Sequence, residues 1–136
     1  MQEKAIDNLD YISIKLRKRL LEVVYRAKAG HIGGGLSSIN MLTALYFHKL
    51  NVDPLNPHKA DRDRFIMSKG HCVEALYCTL EAKGFISPEL LDSYGAYNSP
   101  LAGHPTVKTP GVEVNTGALG HGLSIGVGLA IAAKMD

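Results

Sequence analysis

Residues 65–71 read FIMSKGH, and they are followed by the largely apolar segment 72–83 and by Gly84. The run at residues 65–68 is typical of a short buried strand. The next three residues supply a glycine turn, and the segment after them predicts a helix that Gly84 ends. Strand, turn and helix in this order make half of a βαβ unit. His71 would then lie at the carboxyl end of a strand, where ligands collect in open α/β sheets.

Apolar residues at spacings of three and four predict one long amphipathic helix over residues 8–29. Asp7 or Asn8 can cap its start, and Gly30 can end it because glycine accepts the left-handed conformation. The apolar stripe consists of Leu9, Ile12, Leu16, Leu20, Val23 and Ala27.

The segment AGHIGGGLSS at residues 29–38 places four glycines in six positions. We expect such a run to forbid regular structure and to let the backbone pass close to a ligand. Ser37 or Ser38 can cap the following helix, which should end near Asn51.

The remaining chain is predicted as loops between two further helices. Residues 53–64 form a polar, proline-broken loop. Ser87 followed by proline and glutamate marks the start of a short helix that reaches about Tyr94. Residues 95–116 form a long loop, and residues 117–135 should form a glycine- and alanine-rich helix that is buried on most sides.

Composition and charge disfavour several function classes. Hydrophobic residues make up 46% of the 136 residues, as in a globular protein, and the formal net charge is only +2. The basic run at residues 15–19 is interpreted as a solvated helix face. Cys72 and Cys78 match no zinc pair or redox motif, so we expect reduced, buried thiols. With neither a signal-like start nor an apolar run of spanning length, we expect a soluble, cytoplasmic protein with no nucleic-acid or membrane partner.

Histidines beside glycines in three separate loops, His31, His71 and His104, are the candidate catalytic residues. Imidazole titrates near neutral pH, so it can donate to phosphate oxygens or relay protons from sugar hydroxyls. A lone Gly-His pair more often contains a histidine satisfied by a local hydrogen bond, but three pairs favour a shared polar site. None of the spacings is a zinc ligand pair, and we predict no metal ligand in this chain.

Residues 116–122, TGALGHG, precede the last predicted helix. Free backbone N–H groups at a helix start can bind an anion or a polar heterocycle. The pattern is neither a P-loop nor a dinucleotide fingerprint, because the lysine and the preceding strand of those motifs are missing. A tightly packed glycine-rich helix explains it equally well.

Three segments together resemble the transketolase family, in its order and at about its spacing. They are AGHIGGGLSS at residues 29–38, DPLNPHKADRDRFIMSKGH at residues 53–71 and LAGHPTVKTPGVEVNTGALGHGLSIGVGLA at residues 101–130. The style of the third segment is most similar to transketolases whose N-terminal half is a separate subunit.

The resemblance implies a thiamine-diphosphate enzyme that moves a two-carbon ketol unit from a ketose phosphate to an aldose phosphate. His31 matches a histidine near the reactive carbon of the substrate, His71 one that reaches the cofactor's diphosphate, and His104 one that binds hydroxyls of the donor sugar. Residues 117–119, Gly117, Ala118 and Leu119, match the backbone that holds the cofactor. The cofactor performs the difficult chemistry, while the protein positions groups and moves protons.

The chain also departs from the family. Glutamine is usual where His121 stands, and a tryptophan is common near His58, whereas this chain has none. The resemblance places the family's magnesium motif outside residues 1–136, so we expect the Mg²⁺ ligands outside this chain. The glutamate that activates the cofactor also belongs to another domain of the family.

We therefore expect an α/β fold, in which residues 1–136 are the mostly helical N-terminal part of a parallel-sheet, thiamine-diphosphate-binding domain. One strand cannot form a sheet, so apolar helix faces should stay exposed and promote association. Expected partners are sugar phosphates and the remaining transketolase chain or a C-terminal subunit, in a homo- or hetero-oligomer. The chain alone is expected to be inactive. The alternatives are a non-catalytic remnant that acts by association, part of a related thiamine-diphosphate enzyme, and a basic-helix binding module.

Overall fold

The computed structural model describes residues 2–135, with side chains from residue 8 onward. Five α-helices follow one another within these residues, together with a π-helical turn at Leu45–Lys49 and a 3₁₀ turn at Gly70–Cys72. The helices are α1 (Gln2–Ala27), α2 (Ile32–Ala44), α3 (Val73–Lys83), α4 (Pro88–Asp92) and α5 (His121–Met135). The expectation of a mostly helical chain is confirmed.

Helix α1 buries the stripe that its sequence predicts. Leu16, Leu20 and Val23 are at most 2% exposed and pack against α2 and α3. Burial of each such side chain stabilises the fold by about 1.5–3 kcal/mol. The predicted bounds are wrong at both ends: residues 7 and 8 lie inside the helix, and the helix stops at Ala27 because Lys28 takes a left-handed φ of 51°.

Helix α2 corrects the prediction for the glycine run. It starts at Ile32 and includes all three consecutive glycines, so neither Ser37 nor Ser38 caps it. The glycines allow close packing: a Cβ on Gly34 would collide with Cys72 Sγ, and one on Gly35 would lie 2.9 Å from Leu20 Cδ2. Tertiary contact therefore outweighs the low helix propensity of glycine.

The strand predicted at residues 65–68 is not formed. Residues 62–67 run without regular structure, and none of residues 2–135 pairs in a sheet. A strand needs a neighbouring strand to accept its backbone hydrogen bonds, and the described residues provide none. The hydroxyl of Thr116 donates instead to the carbonyl of Met67 at 2.8 Å.

Helix α3 is the centre of the packed core. Every residue from Val73 to Leu80 is buried, and the helix ends as predicted at Gly84, whose φ is +96°. Cys72 and Cys78 are both reduced and buried, as expected. Burial raises the pKa of the Cys78 thiol to about 12, so this thiol stays protonated at neutral pH.

Helix α4 confirms the predicted start and shortens the predicted end. The hydroxyl of Ser87 accepts a hydrogen bond from the backbone N–H of Leu90 at 3.2 Å, as an N-cap does. The helix ends at Asp92 instead of Tyr94. The long loop predicted at residues 95–116 is confirmed.

Helix α5 differs from its prediction in start and in burial. It begins at His121 rather than Gly117, and Gly122 alone of its residues is buried. Its apolar side chains are exposed because the described residues place no element over them. The helices described here are also too short, or too polar, to cross a membrane.

Candidate functional site

His31 and His71 meet at the starts of two helices. His31 immediately precedes α2, and His71 lies in the 3₁₀ turn that leads into α3. Their ring centroids are 5.0 Å apart with an interplanar angle of 75°, which is an edge-to-face contact. His31 is exposed and His71 is half-buried, so ligands can reach the pair from solvent.

Glycines shape the surface next to this pair. A Cβ on Gly34 would lie 3.8 Å from Nε2 of His71, so this glycine lets α2 approach the ring. Gly33, one residue earlier, has no atom within 4 Å of the position its Cβ would take. The first turn of α2 therefore has one packed face and one open face.

Lys69 connects the two histidine segments. Its Nζ donates to the carbonyl of Gly34 at 3.1 Å and to the hydroxyl of Ser37 at 3.0 Å. No cationic residue was singled out here from the sequence. A lysine directly before a Gly-His pair is the signal that could have indicated it.

His104 lies against the loop that precedes α5. A Cβ on Gly117 would be 3.3 Å from Cδ2 of the His104 ring. The hydroxyl of Tyr77 donates to the carbonyls of Ala102 at 2.9 Å and His104 at 3.3 Å, which fixes the His104 loop on α3. The backbone N–H of Thr116 also donates to the carbonyl of Pro105 at 3.3 Å.

Thr116 joins this second group to the first. A Cβ on Gly70 would lie 2.6 Å from Oγ1 of Thr116 and 2.8 Å from its carbonyl carbon. Gly70 precedes His71, and Thr116 precedes Gly117. The three candidate histidines thus belong to segments in continuous contact, although only His31 and His71 are in ring contact.

The predicted cofactor segment is accessible. Gly117, Ala118 and Leu119 are all exposed, and Leu119 is 71% exposed. The carbonyl of Ala118 accepts the backbone N–H of His121 at 3.2 Å. Gly120 has a φ of +85° and open space at its Cβ position, so a ligand can approach the backbone there. His121 is exposed at the first residue of α5.

A buried carboxylate that the sequence analysis missed lies below the His31 loop. Glu74 is 1% exposed; its Oε1 accepts the hydroxyl of Tyr94 at 2.8 Å, and its Oε2 is unpaired among the described residues. Burial and this carboxylate raise the pKa of the Tyr94 phenol. A Cβ on Gly30 would be 2.8 Å from Oε1, so the carboxylate packs against the backbone next to His31. An acidic residue inside the apolar segment 72–80 is the signal that marks it.

Comparison with known proteins gives a consistent family. A family model described as "Transketolase, thiamine diphosphate binding domain" matches residues 10–136. An apulose-4-phosphate transketolase subunit of Phocaeicola vulgatus is 66% identical over 131 residues, covering 96% of this chain and 47% of that protein. The 6-deoxy-6-sulfo-D-fructose transketolase subunit of Clostridium sp. (strain MSTE9) is 42% identical over 137 residues, covering 100% of this chain and 50% of that protein. The chain thus spans about half the length of these curated relatives.

Solved structures agree with this assignment. Transketolase from Leishmania mexicana superposes with a TM-score of 0.87 at 34% sequence identity. The match covers 91% of this chain and 19% of that one. The helices described here therefore have the arrangement of the corresponding part of a much larger α/β enzyme.

Proposed function

Because the chain belongs to the transketolase family, we propose that it is part of an enzyme that transfers a two-carbon ketol unit from a ketose phosphate to an aldose phosphate. In this proposal residues 1–136 form part of a thiamine-diphosphate-binding domain. The transferase class follows from the family, and the donor, the acceptor and the role of each residue are the proposed part.

The contact between His31 and His71 is the observation that carries the proposal. Two imidazoles with ring centroids 5.0 Å apart stand at an exposed surface, in segments whose glycines let a ligand approach the backbone. Ketol transfer requires proton movement at sugar hydroxyls and hydrogen bonds to phosphate oxygens, and imidazole can do both near neutral pH.

The residues present fit thiamine diphosphate. The histidine rings and Lys69 provide nitrogen donors for a diphosphate, and the open backbone at Gly33 and Gly120 leaves room for a polar heterocycle. When bound, the cofactor supplies the carbon nucleophile that the protein itself lacks. The described residues contain no cluster of acidic, histidine or cysteine side chains able to hold a metal ion. The proposal places the Mg²⁺ ligands outside this chain.

Each predicted site residue has a proposed task. His31 contacts the substrate near the reacting carbon and moves a proton there, while His71 donates to the diphosphate. His104 hydrogen-bonds hydroxyls of the donor sugar. The backbone of Gly117, Ala118 and Leu119 holds the cofactor, which agrees with the exposure of all three residues.

The substrate proposed for first testing is apulose 4-phosphate. The relative that is 66% identical carries this sugar phosphate in its name, whereas the relative named for 6-deoxy-6-sulfo-D-fructose is 42% identical. Both are described as subunits, which supports a companion chain that completes the site. We further propose a cytoplasmic oligomer.

The test uses the complete protein that contains this chain, purified with its companion chain. Thiamine diphosphate and Mg²⁺ are added, and apulose 4-phosphate, 6-deoxy-6-sulfo-D-fructose and an unbranched ketose phosphate are each offered with an aldose phosphate acceptor. Mass spectrometry should detect a product longer than the acceptor by two carbons, only when the cofactor is present.

Other outcomes separate the alternatives. Cofactor binding without ketol transfer from any donor would favour a related thiamine-diphosphate enzyme. Failure of the complex to bind thiamine diphosphate would contradict the proposal and favour a non-catalytic protein that acts by association.

A further inference from the structure

The first turn of α2, residues 32–35, follows His31 but has little helical stability of its own. Three of its four residues are glycine, and each glycine is roughly 1 kcal/mol less favourable than alanine in a helix interior. His31 makes no side-chain cap hydrogen bond, and the turn contains no acidic residue to interact with the helix dipole. Neighbouring elements must therefore hold this turn.

Apolar packing holds one side of the turn. Gly34 lies against the sulfur of Cys72, and Gly35 lies against the side chain of Leu20. These contacts set how closely α2 approaches α1 and α3. They have no hydrogen-bond directionality, so they resist rotation of the turn about the helix axis weakly.

The hydrogen bonds of Lys69 supply that direction. Its ammonium group donates to the carbonyl of Gly34, which also accepts the hydroxyls of Ser37 and Ser38 at 2.8 Å each. Hydrogen bonds from a charged donor are stronger than neutral ones. Lys69 lies two residues before His71, and Gly34 lies three residues after His31. The lysine thus joins the backbone segments of the two histidines.

We propose that Lys69 is a positioning residue for ketol transfer, because its ammonium group fixes the first turn of α2 and so keeps His31 in edge contact with His71. The inference rests on the proposed function for its catalytic consequence. Its structural part, restraint of residues 32–36, is independent of that function.

The test uses the complete protein with its companion chain. Lys69→Met removes the ammonium group but keeps the length of the side chain, Lys69→Arg keeps charged donors, and Ser37→Ala removes one acceptor. Lys15→Met is the matched control, because Lys15 is exposed on α1 with its Nζ 4.4 Å from the ring centroid of Tyr11.

Lys69→Met should lower kcat by about tenfold or more, since small misplacements of catalytic groups have large rate effects. The KM for the donor and the Kd for thiamine diphosphate should change by less than about threefold, because Lys69 acts through His31. Lys69→Arg should recover most of the lost kcat, and Ser37→Ala should lower kcat less than Lys69→Met does. Lys15→Met should match the wild type.

Hydrogen exchange measured by mass spectrometry provides a readout without activity. The amides of residues 32–36 should exchange faster in Lys69→Met than in the wild type, with the rest of α2 and α3 unchanged. If the wild type shows no ketol transfer, the proposed function fails, but faster local exchange still supports the restraint. Unchanged exchange, or parallel losses of kcat, cofactor affinity and melting temperature, would overturn the inference.

Discussion

At the residue scale, the candidate site depends on side chains that sequence patterns rank very differently. His31, His71 and His104 stand out because each follows a glycine in a loop. Glu74 and Lys69 do not stand out, yet the structure places the first under the His31 loop and the second between two histidine segments. A buried carboxylate with one unpaired oxygen is costly, so Glu74 is a feature that packing alone does not explain.

The histidine pair gives a direct prediction. In the complete enzyme, His31→Asn should lower kcat roughly a hundredfold, since a positioned acid–base group contributes about 10²–10⁴ in rate. Steady-state assays of ketol transfer measure the effect. His48→Asn is the control, because His48 is exposed on the π-helical turn and should leave kcat unchanged. Wild-type kcat in the His31 variant would remove this residue from the proposed mechanism.

At the scale of elements, α2 shows how packing can overrule composition. Its glycine run forms a helix because two of the three glycines allow contacts that a Cβ would block. The 3₁₀ turn before α3 is placed by the same contacts, since Cys72 lies against Gly34. The distance between His31 and His71 is therefore set by helix packing more than by either loop.

Two neighbouring glycines allow this to be tested. Gly34→Ala should destabilise the protein by about 1–3 kcal/mol, because the new methyl group must displace Cys72. Gly33→Ala should not destabilise it, since the position is open and alanine is the better helix former. Urea unfolding followed by circular dichroism measures both. Equal stability of the two variants would show that the Gly34 contact is unimportant.

At the scale of the whole molecule, α5 leaves an apolar stripe without a partner among the described residues. Leu123, Val127, Ile131 and Met135 recur every four residues and are 75%, 53%, 56% and 82% exposed. An exposed stripe of this kind favours association. The family places a parallel sheet in the complete domain, which gives such a helix a surface to cover.

Residues 1–136 expressed alone should consequently self-associate. Sedimentation should give a mass above the 14.7 kDa of one chain. The double variant Leu123→Glu and Val127→Glu should shift the population towards monomer, because charge on the stripe opposes its burial. Ser124→Glu is the control, since Ser124 is exposed outside the stripe. A wild-type fragment that is monomeric at high concentration would contradict this prediction.

The sequence by itself determined the features that depend on neighbours in the chain. The core stripe of α1, the stop of α3 at Gly84 and the cap of α4 at Ser87 follow from periodicity, the left-handed tolerance of glycine and the hydrogen bonding of serine. The motif order also indicated the family.

Tertiary structure alone decided features that depend on partners distant in the chain. The glycine run became helical because Cys72 and Leu20 pack against it, and residues 65–68 formed no strand because the described residues offer no neighbouring strand. α5 remained exposed for the same reason. Local patterns record what a segment can form, but whether it forms depends on which surfaces are present to bury its apolar groups and to pair its backbone.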